Sequence, residues 1–226
     1  MIKKTVLATA IATSLFSLPV FAYQAGDFIA RVGAAGVFPT GDSDSLDVLP
    51  DANVEAQSAW SLGLSLSYMV TDNIGVGILG SWPFEHDVDP KGSDLKGQTG
   101  SDSIATTKHL PPTVTAQWHF PTGSNIHPYV GLGFNYTYFF DEDTDGALSA
   151  ADIDIEDSFG LALEAGLDVE VQDGWVVSGQ VWYISIEPEA KVTGSVDLPV
   201  GTVVLDEKID VNIDPWVFMV SIGKKF

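Results

Sequence analysis

The residues with most capacity for chemistry lie in an acidic stretch and beside two histidines. Asp141 to Asp152 places carboxylates at positions 1, 3 and 5, Gly146 at 6, an apolar Leu148 at 8 and Asp152 at 12. This is the spacing of a twelve-residue calcium loop, where alternate oxygens wrap one hard cation and the glycine permits a sharp turn. Asp141, Asp143, Asp145 and Asp152 are the candidate ligands. Position 12 is ordinarily a bidentate Glu, and the flanks alternate like strands, so a solvated acidic loop is the competing reading. Calcium held here would bind weakly, at about 10⁻⁴ to 10⁻³ M. No other cofactor is expected. His86 beside Asp87, and His109 with Ser101 or Ser103, are the raw material for a base and a nucleophile. Their spacing fixes no triad, and a metal site from the two histidines is thin, so no enzymatic activity is expected.

The whole chain narrows the classes further. Its 226 residues include no cysteine, which removes disulfides, thiolate zinc sites and cysteine nucleophiles. Ten Lys and Arg stand against 31 Asp and Glu, a formal charge of −21. Nucleic acid is excluded as a partner, because it requires a basic footprint. Only 18% of residues are charged and 45% are hydrophobic, so the chain is not an acidic disordered one. Residues 1–22 read as a cleaved secretory signal: Lys3 and Lys4, an apolar run from Val6 to Leu18, then Val20-Phe21-Ala22.

Beyond it the pattern has period two. Trp60, Leu62, Leu64, Leu66, Tyr68 and Val70 alternate with Ser61, Gly63, Ser65, Ser67 and Met69. The alternation returns at Thr113 to Phe120, Phe159 to Val171 and Trp216 to Phe226, and more weakly at Phe28 to Phe38, Ile74 to His86, Pro128 to Phe140 and Trp175 to Glu187. Eight strands result. Short turns (Thr71 to Asn73, Pro121 to Ile126, Gln172 to Gly174) alternate with four long, mostly acidic connections: Pro39 to Asn53, Asp87 to Ser103, Asp141 to Asp154 and Pro188 to Glu207. The bulky face is apolar and aromatic, and the opposite face is Gly, Ser, Thr and Gln. A soluble barrel would invert this. The expected fold is all-β: an eight-stranded antiparallel transmembrane β-barrel, residues 23–226, with four long extracellular loops in the outer membrane of a Gram-negative bacterium. Outer-membrane lipid is its first partner; the oligomeric state is open.

Several stretches resemble the OmpW/AlkL family of small outer-membrane barrels: Met69 to Val76, Lys108 to Thr113 with Ala116-Gln117-Trp118, Pro128 to Gly133, Asn135 to Thr137, Phe139-Phe140, Val181 to Tyr183, and Asp214 to Phe218 with terminal Phe226. They run in order along nearly the whole mature chain. The resemblance implies a narrow apolar channel, with a side opening in its wall, that admits small hydrophobic molecules. The long acidic loops depart from the family's pattern.

The residues themselves speak to the route. Eight strands leave an interior only just wide enough for side chains. Glycines lighten the inner face, yet Leu79, Trp182, Ile184, Val217 and Met219 also point inward by alternation. Leu79 and Trp182 lie near mid-height by residue count and are expected to form a constriction. Ile184, Val217 and Met219 extend an apolar lumen that a hydrophobic solute would favour, at roughly 25 cal/mol per Å². The alternative is a filled interior that plugs the barrel. Pro83, Pro111 and Pro112 fall at one height in neighbouring strands, and proline cannot donate to a ladder. Pairing weakened there would open the wall towards lipid; a pair of closed bulges is the bland reading. Two other functions stay open: a structural or adhesive barrel acting through its acidic loops, and a narrow cation-selective pore using Glu164 and Asp168.

Overall fold

The computed structural model describes residues 23–41, 53–91, 103, 105–144, 150–198 and 201–226. The proposed signal segment and Asp145 lie outside them. Fourteen strands are described: β1 (Phe28–Phe38), β2 (Asn53–Ala56), β3 (Ala59–Met69), β4 (Ile74–Ser81), β5 (Phe84–Lys91), β6 (Ala105–Leu110), β7 (Thr113–His119), β8 (Ile126–Thr144), β9 (Ala151–Ile155), β10 (Ser158–Glu170), β11 (Trp175–Ile184), β12 (Glu189–Leu198), β13 (Gly201–Asp210) and β14 (Trp216–Lys225).

Eight of them close a ring in the order β1, β3, β4, β7, β8, β10, β11, β14 and back to β1, antiparallel throughout. Closure leaves no ring edge in need of a partner, the condition for crossing a bilayer with strands. The burial pattern is inverted relative to a water-soluble protein. Ser65 and Ser67 are 2% and 0% exposed, while Trp60, Leu62 and Leu64 are 66%, 54% and 51% exposed. A row of bulky apolar side chains on the outside fits hydrocarbon, not water. The eight residues of β4, at about 3.3 Å each and tilted roughly 40°, rise about 20 Å. That approaches the roughly 25 Å apolar band of such barrels. Exposed Trp60, Trp82, Phe159 and Trp216 mark its loop-side boundary, and β5 and β6 stand above it.

Among the described residues, three of the four acidic connections carry strands, and the first ends at the start of β2. β5 and β6 continue β4 and β7 upward and carry β2 on their free side. β8 is 19 residues long, and β9, β12 and β13 form a separate three-stranded sheet. Alternation such as Val192, Gly194 and Val196 is short and interleaved with charge, so composition hid these strands.

Candidate functional site

The barrel interior divides into two layers. On the short-turn side lies a polar floor. Asp168 accepts hydrogen bonds from Arg31 Nε (3.0 Å), Arg31 Nη2 (2.5 Å), Tyr23 Oη (2.6 Å) and Ser178 Oγ (2.5 Å). Arg31 also donates to Ser67 Oγ at 2.9 Å. Glu164 accepts from Thr115 Oγ1 (2.6 Å) and Gln117 Nε2 (3.0 Å). Gln180 donates to Ser65 Oγ (2.9 Å) and Tyr129 Oη (2.7 Å). His119 stacks on Tyr129 at 4.6 Å and Tyr23 on His127 at 4.4 Å. Glycine makes room for the rings: a Cβ on Gly166 would sit 2.2 Å from Tyr129 Cζ. A buried charge pair needs its remaining hydrogen-bonding capacity filled, and here hydroxyls supply it. The alternation assigns Gln117, His119, Glu164, Asp168 and Gln180 to this polar layer; Arg31 and Tyr23 complete it.

Above the floor lies an apolar cluster. Leu79 (5% exposed), Trp182 (1%), Ile184 (0%), Val217 (2%) and Met219 (1%) all belong to it, with Phe84, Phe139, Ala162 and Ile186. The five residues that sequence reasoning placed in the lumen are thus brought together on the inner face. Their side chains fill the upper lumen.

The wall changes at the prolines. Pairing of β4 with β7 ends at Leu79 and Thr113, and resumes between β5 and β6 at Phe84 and His109. Between these points Gly80 to Pro83 oppose Leu110 to Pro112 with no ladder pair. Pro83, Pro111 and Pro112 therefore flank one interrupted seam. Its other sides remain tied: Trp82 N donates to Leu62 O (2.8 Å) and Tyr136 N to Pro112 O (3.1 Å).

Just above the seam the two histidines meet. His86 Nε2 lies 2.8 Å from His109 Nε2, and the rings stack at 4.8 Å. His86 Nδ1 lies 2.5 Å from Gln57 O. Burial pushes both rings below the ordinary imidazole range, and His86 lowers His109 further. The hydroxyl of Ser103 donates to Val88 O and Ala105 O, and Asp87 faces away, exposed. The serine–histidine arrangements considered from sequence are therefore not assembled among the described residues. Of the calcium candidates, Asp141 and Asp143 lie exposed on the upper part of β8, Asp141 3.5 Å from Lys108 Nζ, and Asp152 lies exposed on β9 opposite Thr193. Among the described residues no group of three or more His, Asp or Glu is placed to hold a metal.

An eight-stranded antiparallel barrel with an apolar exterior, short turns at one end and strand extensions at the other is an outer-membrane protein. The family is equally specific. Residues 24–226 match the model of the OmpW family, and the chain belongs to that family. It is 41% identical to outer membrane protein W of Vibrio cholerae over 228 residues, covering 99% of this chain and 100% of that one. It is 29% identical to outer membrane protein AlkL of Ectopseudomonas oleovorans over 97% of this chain and 90% of that one. A more distant relative, 26% identical over 79% of this chain and 77% of its own, is the dibenzothiophene metabolism operon protein PahQ of Pseudomonas aeruginosa. The crystal structure of OprG from Pseudomonas aeruginosa superimposes with a TM-score of 0.79 at 37% identity, covering 91% of this chain and 98% of that one. The protein is accordingly located in the outer membrane of a Gram-negative bacterium.

Proposed function

We propose that the protein is a passive channel for small hydrophobic molecules, which enter from the loop side, cross the apolar upper lumen as the packed side chains of Leu79 and Trp182 give way, and leave sideways into the membrane between Pro83 and Pro111. The observation that carries this reading is the layering of the interior. An apolar solute gains roughly 25 cal/mol per Å² where Ile184, Val217 and Met219 line its way, and meets a hydrogen-bonded lattice of charge and hydroxyls at Arg31, Asp168 and Glu164. The seam without ladder pairs lies beside Trp82 of the loop-side aromatic girdle, next to the apolar lining. The operon name carried by PahQ, dibenzothiophene metabolism, is an apolar aromatic context consistent with this class of solute. A cation-selective pore is disfavoured, because Asp168 is neutralised by Arg31 and Glu164 is already engaged by Thr115 and Gln117.

The test is uptake into proteoliposomes of an apolar solute against a sugar of similar size. Wild type should admit the first and not the second. Trp182→Ala, which removes a ring only 1% exposed, should raise apolar uptake, at a stability cost of about 3 kcal/mol. Uptake of neither solute, in wild type and variant alike, would overturn the reading in favour of a structural or adhesive barrel acting through its acidic extensions.

A further inference from the structure

We propose that the seam carries a recognition site for a neutral hydroxyl group, so that the preferred solutes are apolar bodies bearing one alcohol or phenol; the site is formed by the buried ring nitrogen His109 Nδ1. This deepens the channel reading and rests on it.

The first observation is an orphaned polar atom at the seam. Among the described residues seven buried side-chain atoms lack a hydrogen-bond partner; four belong to the polar floor (His119 Nδ1, His127 Nε2, Gln180 Oε1, Ser221 Oγ), and Ser81 Oγ, Thr107 Oγ1 and His109 Nδ1 lie higher. Ser81 and His109 border the interrupted seam, and Thr107 stands above it. Ser81 is the last residue of β4, two beyond Leu79; His109 pairs with Phe84, and Thr107 with His86, across β5 and β6. Thr107 and His109 are 8% and 5% exposed. Buried polar atoms are nearly always paired, and each exception calls for a cause.

The second observation fixes the sign of the missing partner. The carbonyl of Gln57 carries no proton, so His86 Nδ1 must donate to it across 2.5 Å. A neutral imidazole has one N–H, which leaves His86 Nε2 bare. His109 Nε2 must then donate to it across 2.8 Å. His109 Nδ1 is consequently bare as well: an acceptor, buried, with nothing to accept from. Its complement is a donor. A carboxylate cannot supply one, and an ammonium would lose its hydration in a lumen lined by Phe84, Phe139 and Trp182. A neutral O–H satisfies the ring nitrogen.

The third observation concerns access. Phe84 stacks on His109 at 5.6 Å, and Phe139 lies 5.7 Å away. Phe84 directly follows Pro83 and lines the inner side of the seam. A solute moving out through the wall displaces this ring and uncovers the acceptor behind it. The hydroxyl is thus held at the exit, after the apolar body has filled the lumen.

The experiment uses the full-length protein in lipid nanodiscs with two probes, naphthalene and 1-naphthol, which share a ring system and differ by one hydroxyl. Binding is read from quenching of tryptophan fluorescence, with Trp182→Phe identifying the lumen signal. In wild type, 1-naphthol should bind roughly tenfold more tightly than naphthalene after correction for partition into empty nanodiscs, the factor one net hydrogen bond supplies. His109→Phe should abolish that preference, so that the two probes bind alike. Nitrogen-15 spectra of labelled wild type give a second readout that needs no variant: the bare His109 nitrogen should shift with 1-naphthol and not with naphthalene. An equal preference in wild type and His109→Phe, or an unmoved nitrogen signal, overturns the hydroxyl site while naphthalene binding upholds the channel. Failure of naphthalene itself to quench Trp182 overturns the channel reading and this inference with it.

Discussion

Replacing Pro111 with valine should slow apolar uptake about fivefold, whereas the same change at Pro112 should leave it unaltered. Backbone donors along a strand alternate between its two neighbours. His119 N donates to Asn73 O at 2.8 Å, beside β4, so residues 117, 115, 113 and 111 face β4 too. Phe120 N donates to Pro128 O, and Tyr136 N donates to Pro112 O, so residue 112 faces β8. The donor missing from the β7 side of the seam is therefore that of Pro111. Valine restores it, keeps an apolar side chain at a buried inward position, and prefers extended backbone. One restored ladder bond is worth about 1 kcal/mol net, a factor of about five in an opening equilibrium. The assay is entry of a fluorescent apolar probe into outer-membrane vesicles that retain their lipopolysaccharide leaflet. Equal rates for Pro111→Val and wild type would refute the reasoning. So would a Pro112→Val variant that slows entry as much as Pro111→Val does.

Three further outcomes follow from the same geometry. Arg31→Met should destabilise the barrel by about 3 kcal/mol or more, because Asp168 is left buried without its cation; the folded band on a semi-native gel should convert at lower temperature, and adding Asp168→Asn should recover part of the loss. Leu64→Arg, on the lipid face at 51% exposure, should cost about 2–4 kcal/mol in bilayer refolding. Glu142 lies on the extension of β8, where burial raises its carboxyl above the usual range and Asp154, Asp141 and Asp157 raise it further. An acid raised in the folded state opposes folding when ionised, so Glu142→Gln should stabilise at neutral pH, and the advantage should fade as pH falls through the carboxylate range. Thermal melts at several pH values check this.

The ring was legible because a strand crossing hydrocarbon must alternate strictly: Trp60, Leu62 and Leu64 have nowhere else to point. The lumen residues followed from the same parity. The floor was legible only in half. Glu164 and Asp168 stand out as acids on inner positions, but their neutralising partner is the one arginine in the chain. Alternation from Phe28 puts Arg31 on the inner face, and a lone inward cation in an eight-stranded barrel has to meet an inward acid. That signal was available. Tyr23 gave none, since it reaches Asp168 across a sequence separation of 145. The strands above the membrane escaped for a different reason: with solvent on both sides, nothing forces apolar alternation on β9, β12 or β13. The contact of His86 with His109 is likewise a matter of register across the proline seam, which residue counting cannot supply.

The floor has a consequence at the scale of the cell. An open pore of any kind taxes its host, since each added copy admits salts, protons and water-soluble toxins. Here the bottom of the cylinder is locked by Arg31, Asp168, Tyr23 and Gln180, and on the proposed route traffic leaves into the bilayer before reaching it. The number of copies in the envelope can then rise with the supply of greasy nutrients without loosening the barrier against hydrophilic drugs.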